Sequence, residues 1–152
     1  MTNATLLKDQ PIMSYRPRHF AIQELVYPEI YESRSWRCWE LLDERALRSL
    51  SSLREKFGPL TVNDWHWGGN YKESGLRSFT TSTGAKLSQH RFGRAFDIKP
   101  KDAAIQDVYE YILGHPKEFK FISTLENIEK TTSWIHVDCR LNQDPGIRIV
   151  NP

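Results

Sequence analysis

Cysteine is scarce: the 152 residues hold two, Cys38 and Cys139, far apart in the chain and in no Cys-x-x-Cys spacing. That excludes a thiolate metal knot and a disulfide-stapled miniature fold, and two reduced thiols are expected. No stretch approaches the roughly 18 consecutive apolar residues of a spanning helix, so membrane insertion is not expected. The opening "MTNATLLKDQPIM" has no basic segment leading into an apolar run, so no secretory signal is expected either. Net charge is also small, because 21 Lys and Arg oppose 19 Asp and Glu to leave +2. With no basic run or stripe, nucleic acid is not an expected partner. Internal repeats, low-complexity tracts and a helical His-Glu-x-x-His zinc signature are all missing.

What is present describes a folded chain. Hydrophobic residues make up 39% and aromatics 12%, enough to enclose one core in a chain of this length. Residues 1–17, punctuated by Pro11 and Pro17, read as an extended arm, and residues 18–152 as a single domain. "HFAIQELVYPEIYES" offers a short helical turn ending near Pro28. From Ser35, the residues Trp39, Leu42, Ala46, Leu50, Leu53 and Phe57 recur at steps of three and four. That spacing predicts one amphipathic helix of about six turns, stopped by Gly58 and Pro59. "LTVNDWHW" reads as a strand, and residues 66–92, rich in Gly, Ser, Thr and Asn, as a long functional loop. "RAFDI" is a short strand and "KDAAIQDVYEYILGH" a second helix, with Ile105, Val108, Tyr109 and Ile112 on its apolar stripe. "FKFISTL" and "TTSWIHVDCR" read as paired antiparallel strands. The expected class is α+β, a small antiparallel sheet with helices packed to one side.

Two stretches carry chemistry. In "SWIHVDCR", strand alternation sends Ile135, Val137 and Cys139 to one face and Trp134, His136 and Asp138 to the other. An imidazole beside a carboxylate on one face needs partners, and "HRFGRAFD" supplies them. His90 and Asp97 stand seven positions apart, about 10 Å on a helix or 23 Å along a strand. Ligands of one zinc ion must each come within about 2.0–2.2 Å of it, so the chain has to double back between them. Gly93 can adopt the positive φ of such a reversal, with Ala95 and Ile98 packing inward around Asp97. His90, Asp97 and His136 would then hold one Zn²⁺ per chain and leave a fourth corner open, the pattern of a catalytic zinc.

"Ser88-x-His90-x-x-Gly93-x-Ala95-x-Asp97" followed by "Trp134-x-His136-x-Asp138" resembles the zinc D-alanyl-D-alanine carboxypeptidase family. That family includes vancomycin-resistance dipeptidases and phage L-alanyl-D-glutamate endopeptidases, and shares its fold with the hedgehog signalling domain. "RHFAIQELVYP", "LRSLSSLREKFGPLTV" and "SGLRS" extend the resemblance to roughly residues 18–141. It implies a hedgehog-like α+β fold and a peptidase acting on peptidoglycan stem peptides, as an endopeptidase or a D,D-carboxypeptidase. It also implies that Arg77 steadies the oxyanion formed when water attacks a peptide carbonyl. Phage-type members are made in the cytoplasm and reach the cell wall after release, as endolysins, or as part of a virion.

The chain departs from that pattern at the general base. Family members place a Glu or Asp three residues before the last His, or a His two before it; here Ser133 and Trp134 stand there. A hydroxyl and an indole cannot take the proton. Glu126 and Asp138 are the leading substitutes, ahead of Glu129 and His66, and the sequence does not separate the first two. Trp65, Trp67 and Trp134 read foremost as core residues and secondarily as a wall for a peptide. Without a base, the competing expectation is a non-catalytic, zinc-stabilised binding or virion structural module.

Overall fold

The computed structural model describes residues 15–152. Most of the arm expected over residues 1–17 lies outside them, but Tyr15 docks on the first long helix and donates to Ser51 Oγ at 2.6 Å. Three α-helices, α1 (Pro28–Arg34), α2 (Glu44–Phe57) and α3 (Ile105–Gly114), accompany five short strands. The strands are β1 (Leu60–Thr61), β2 (Ala95–Pro100), β3 (Thr124–Glu126), β4 (Ile135–Asp138) and β5 (Arg148–Val150). They form one sheet in the order β1-β2-β4-β3-β5, antiparallel throughout except for the β3–β5 pair. The class is α+β, as expected, but the sheet is mixed rather than wholly antiparallel.

Alternation along the strands divides the sheet into an apolar face and a polar one. The register sets Phe96 opposite Val137, Ile98 opposite Ile135 and Leu125 opposite Val137. All five join one buried cluster with Leu47, Leu50 and Leu53 of α2 and Val108 and Ile112 of α3. Burial of this kind contributes roughly 1.5–3 kcal/mol per large apolar side chain. Asp97, Glu126, His136 and Asp138 occupy the opposite face. Ala95 and Ile98 are both fully buried, as expected, although on opposite faces of β2.

Several boundaries differ from the sequence reading. Pro28 opens α1 instead of closing a turn, because its fixed φ and missing N–H suit the first helical position. The preceding turn is a 3₁₀ segment over Ile22–Glu24. The long helix expected from Ser35 begins only at Glu44, after a 3₁₀ segment over Ser35–Leu41. Leu42 and Asp43 are extended there, and Asp43 caps α2 by accepting from the Arg45 N–H at 2.9 Å. Asp43 N–H also donates to the Gly93 carbonyl at 2.9 Å, so the break is tied to the turn that precedes β2. Trp39, in the 3₁₀ segment, and Leu42, in the extended break, keep their core positions outside α2.

The strand expected over "LTVNDWHW" is limited to β1, and Trp65–Trp67 form a 3₁₀ turn. In "FKFISTL" only Thr124 and Leu125, the start of β3, are strand, since Phe119 and Ile122 are buried in turns bonded back to Pro116 and Phe119. β5 was not anticipated; the alternation in "GIRIV" is its only signal. Among the described residues no helix is long and apolar enough to cross a membrane.

Gly93 lies at φ 68°, and a Cβ there would overlap the carbonyl oxygen of Leu41. Gly93→Ala should therefore cost about 2 kcal/mol or more in urea unfolding, from both left-handed strain and the steric conflict. Gly114→Ala, with nothing within 4 Å of the added carbon, should be neutral or mildly stabilising. Equal effects of the two substitutions would remove the argument for a close approach at Gly93.

A candidate metal centre on the polar face of the sheet

The register that builds the core also assembles the site. Asp97 on β2 lies directly opposite His136 on β4, and the β3–β4 pairing brings Glu126 alongside His136. His90 comes from the 3₁₀ turn Gln89–Phe92 that leads into β2. The left-handed Gly93 turns the chain back between them, which answers the spacing problem posed by His90 and Asp97. All three side chains are buried.

Three atoms converge. His90 Nε2 is 3.1 Å from His136 Nδ1, His136 Nδ1 is 3.1 Å from Asp97 Oδ1, and His90 Nε2 is 3.2 Å from Asp97 Oδ1. Ligands held about 2.0–2.1 Å from a tetrahedral ion stand about 3.3 Å apart, so this triangle is close to the size of one face of such a tetrahedron. The outer nitrogens fix the tautomers. His90 Nδ1 is 2.9 Å from the Gly75 carbonyl, which only accepts, so Nδ1 carries the hydrogen. His136 Nε2 is 2.8 Å from Asp138 Oδ2, which again accepts. In the neutral rings both remaining lone pairs therefore point at each other and at a carboxylate oxygen. The residues fit a divalent cation, and these three together could hold one.

The electrostatics favour positive charge among these three groups, whether a proton on His136 or a metal ion. Burial drives His90 toward its neutral form, below its ordinary pKa. Burial opposes charge on His136 as well, but hydrogen bonds to Asp138 and Asp97 overcome it and push that ring up to about 9. Burial alone would raise the Asp97 carboxyl, yet the two imidazoles hold it well below the usual carboxylate range. The pocket thus retains positive charge between two rings and a carboxylate.

The other expected residues separate clearly. Arg77 Nη2 meets Asp97 Oδ2 at 2.9 Å, and its Nε donates to the Glu73 carbonyl at 2.6 Å. Its Nη1 is cradled by Gly84, where a Cβ would stand 2.7 Å away. Glu126 is half-buried, with Oε1 3.7 Å from His136 Nδ1, and burial raises its carboxyl pKa despite the nearby ring. Asp138 is fully enclosed behind His136 and is gripped by Arg140. It orients the ring instead of facing the site.

A cleft of about 330 Å³ opens onto the triangle, with Arg77, Leu87, Glu126, Trp134 and Arg140 among its walls. His66 and Glu129 do not line it. Trp65 donates to the Val26 carbonyl at 2.9 Å and packs on Tyr31, a structural role separate from Trp134. Sequence reasoning missed Arg140 and the Val150–Pro152 segment, which also border the cleft. Arg140 had a signal, since continuing the His136, Asp138 alternation by two residues reaches it.

Comparison of the chain with protein-family models, curated proteins and solved structures finds no match in any of the three. What the fold and geometry define is a buried His-Asp-His cluster, on the polar face of an α+β sheet, that could hold a metal ion.

Asp138→Asn keeps all three candidate ligands but weakens the acceptor that holds the His136 tautomer. It should lower divalent-metal affinity about 10–100-fold in a chelator competition titration. Unchanged affinity would reduce Asp138 to a packing role.

Proposed function

We propose that the chain is a zinc metallopeptidase that hydrolyses peptide bonds in peptidoglycan stem peptides, with the hedgehog-like fold of D-alanyl-D-alanine carboxypeptidases and phage endopeptidases. The observation that carries the reading is the triangle of two imidazole nitrogens and one carboxylate oxygen, open to a cleft that also holds Arg77 and Glu126. Two nitrogens and an oxygen at tetrahedral spacing suit zinc better than the harder magnesium or calcium, which favour oxygen sets. Bound there, zinc supplies Lewis-acid polarisation of a carbonyl and lowers the pKa of water.

The protein's own groups divide the remaining work. Arg77, anchored to Asp97 and the Glu73 carbonyl, presents a fixed guanidinium to the oxygen that gains negative charge. Glu126 Oε1 accepts the proton of the attacking water and returns it to the leaving amine nitrogen. Burial raises its pKa, the direction that a proton carrier needs. Asp138 is already committed to His136 and Arg140, which favours Glu126 as the base. Glu126 also favours an enzyme over a non-catalytic module, because it supplies a carboxylate that Ser133 and Trp134 cannot. Trp134 and Leu87 offer apolar walls for the peptide. In this reading the protein is made in the cytoplasm and acts at the cell wall after release or within a virion.

Purified peptidoglycan, digested with and without chelator and analysed by mass spectrometry, tests the reading. New peptide termini that vanish with chelator and return with zinc are expected; an unaltered polymer would refute it. Arg77→Ala should retain zinc while turnover falls roughly 10²–10³-fold. Glu126→Gln should likewise retain zinc and lose about 10²–10⁴-fold in kcat. A fully active Glu126→Gln would return the proton to another group.

A further inference from the structure

Arg140 is the charged side chain of the cleft that the proposed reaction leaves unused. Its Nε and Nη2 are bound to Asp138, while Nη1 has no hydrogen bond among the described residues. The side chain is 30% exposed and borders the same cleft as the triangle. Asp138 is completely buried, so it holds the guanidinium as a rigid, planar donor instead of a free surface cation. The guanidinium stands one carboxylate and one imidazole away from His136 Nδ1. That separation is at most roughly 10 Å, or about three residues of extended peptide.

Charge balance points the same way. Asp97 is matched by Arg77 and Asp138 by Arg140, each through a direct ion pair. Among the side chains of the cleft, Glu126 alone then faces the two charges of a divalent ion, so those side chains and the ion together carry an excess positive charge. Such a cleft favours an anionic ligand, and a carboxylate fits a planar guanidinium edge.

We infer that Arg140 determines specificity by binding a free carboxylate of the substrate, within about three residues of the bond that is cut. This rests on the peptidase reading, and it narrows the substrate class to stem peptides with an unamidated carboxylate in that range. A lysine-type stem peptide has two sources of such a group, the α-carboxylate of D-glutamate and the carboxyl terminus.

The test uses L-Ala-γ-D-Glu-L-Lys-D-Ala-D-Ala in three forms: free acid, D-glutamate α-amide and C-terminal amide. Binding to the zinc-loaded protein is measured by calorimetry, and cleavage by mass spectrometry. One amide should bind about 10–100-fold more weakly than the free acid, and the affected amide identifies the carboxylate held. Arg140→Met should erase that discrimination, with the loss in cleavage carried mainly by KM, and Arg140→Lys should leave it intermediate. Zinc content and thermal unfolding of both variants report whether Asp138 and the fold survive. If Arg140→Met does not fold, the wild-type comparison and Arg140→Lys decide the matter. Equal binding of all three forms by wild type, or discrimination that persists in Arg140→Lys at full strength, overturns the assignment. Discrimination in binding without any cleavage would uphold Arg140 as a carboxylate anchor while refuting the peptidase reading.

Discussion

Three electron-pair donors, buried and within about 3 Å of one another, repel unless positive charge lies between them. That constraint organises the polar half of the protein. The strand register puts Asp97 opposite His136, the left-handed Gly93 carries His90 back over them, and two fixed acceptors orient the rings. The same register builds the apolar core on the other side of the sheet. One fold therefore supports both faces, and positive charge among the three donors relieves their repulsion.

A second layer of charge surrounds the first. Each buried carboxylate has one oxygen or edge toward a histidine and another toward an arginine: Asp97 to Arg77, Asp138 to Arg140. Buried charges are tolerated when paired and hydrogen-bonded in this manner. The pairing also makes the guanidiniums rigid, since each is held at one edge and free at another. Preorganised cations of this kind stabilise charge that develops during a reaction without having to reorient.

The three candidate ligands were legible because strand alternation and one glycine restrict where their side chains can go. His136 and Asp138 share a face by parity, and seven residues with Gly93 between His90 and Asp97 demand a reversal. The choice between Glu126 and Asp138 was not legible, since it depends on which strand pairs with which, a long-range fact. The late start of α2 was hidden for the same reason. Leu42 and Asp43 continue the helical period of the chain, but the bond from Asp43 to Gly93 overrides it. β5 is three residues long and half-exposed, so its pattern scarcely rises above that of a loop.

The sheet supports the two halves of the site unequally. Asp97 and His136 sit on its central pair, whereas Glu126 ends β3, whose outer neighbour is the short parallel edge formed by Arg148–Val150. Edge segments of that length open most readily, because few bonds must break together. A transient loss of β5 would loosen Glu126 while leaving the pairing of Asp97 with His136 in place. The strand that carries Glu126 and the pair that carries Asp97 and His136 are thus mechanically separable in this fold, with the last strand as the weaker support.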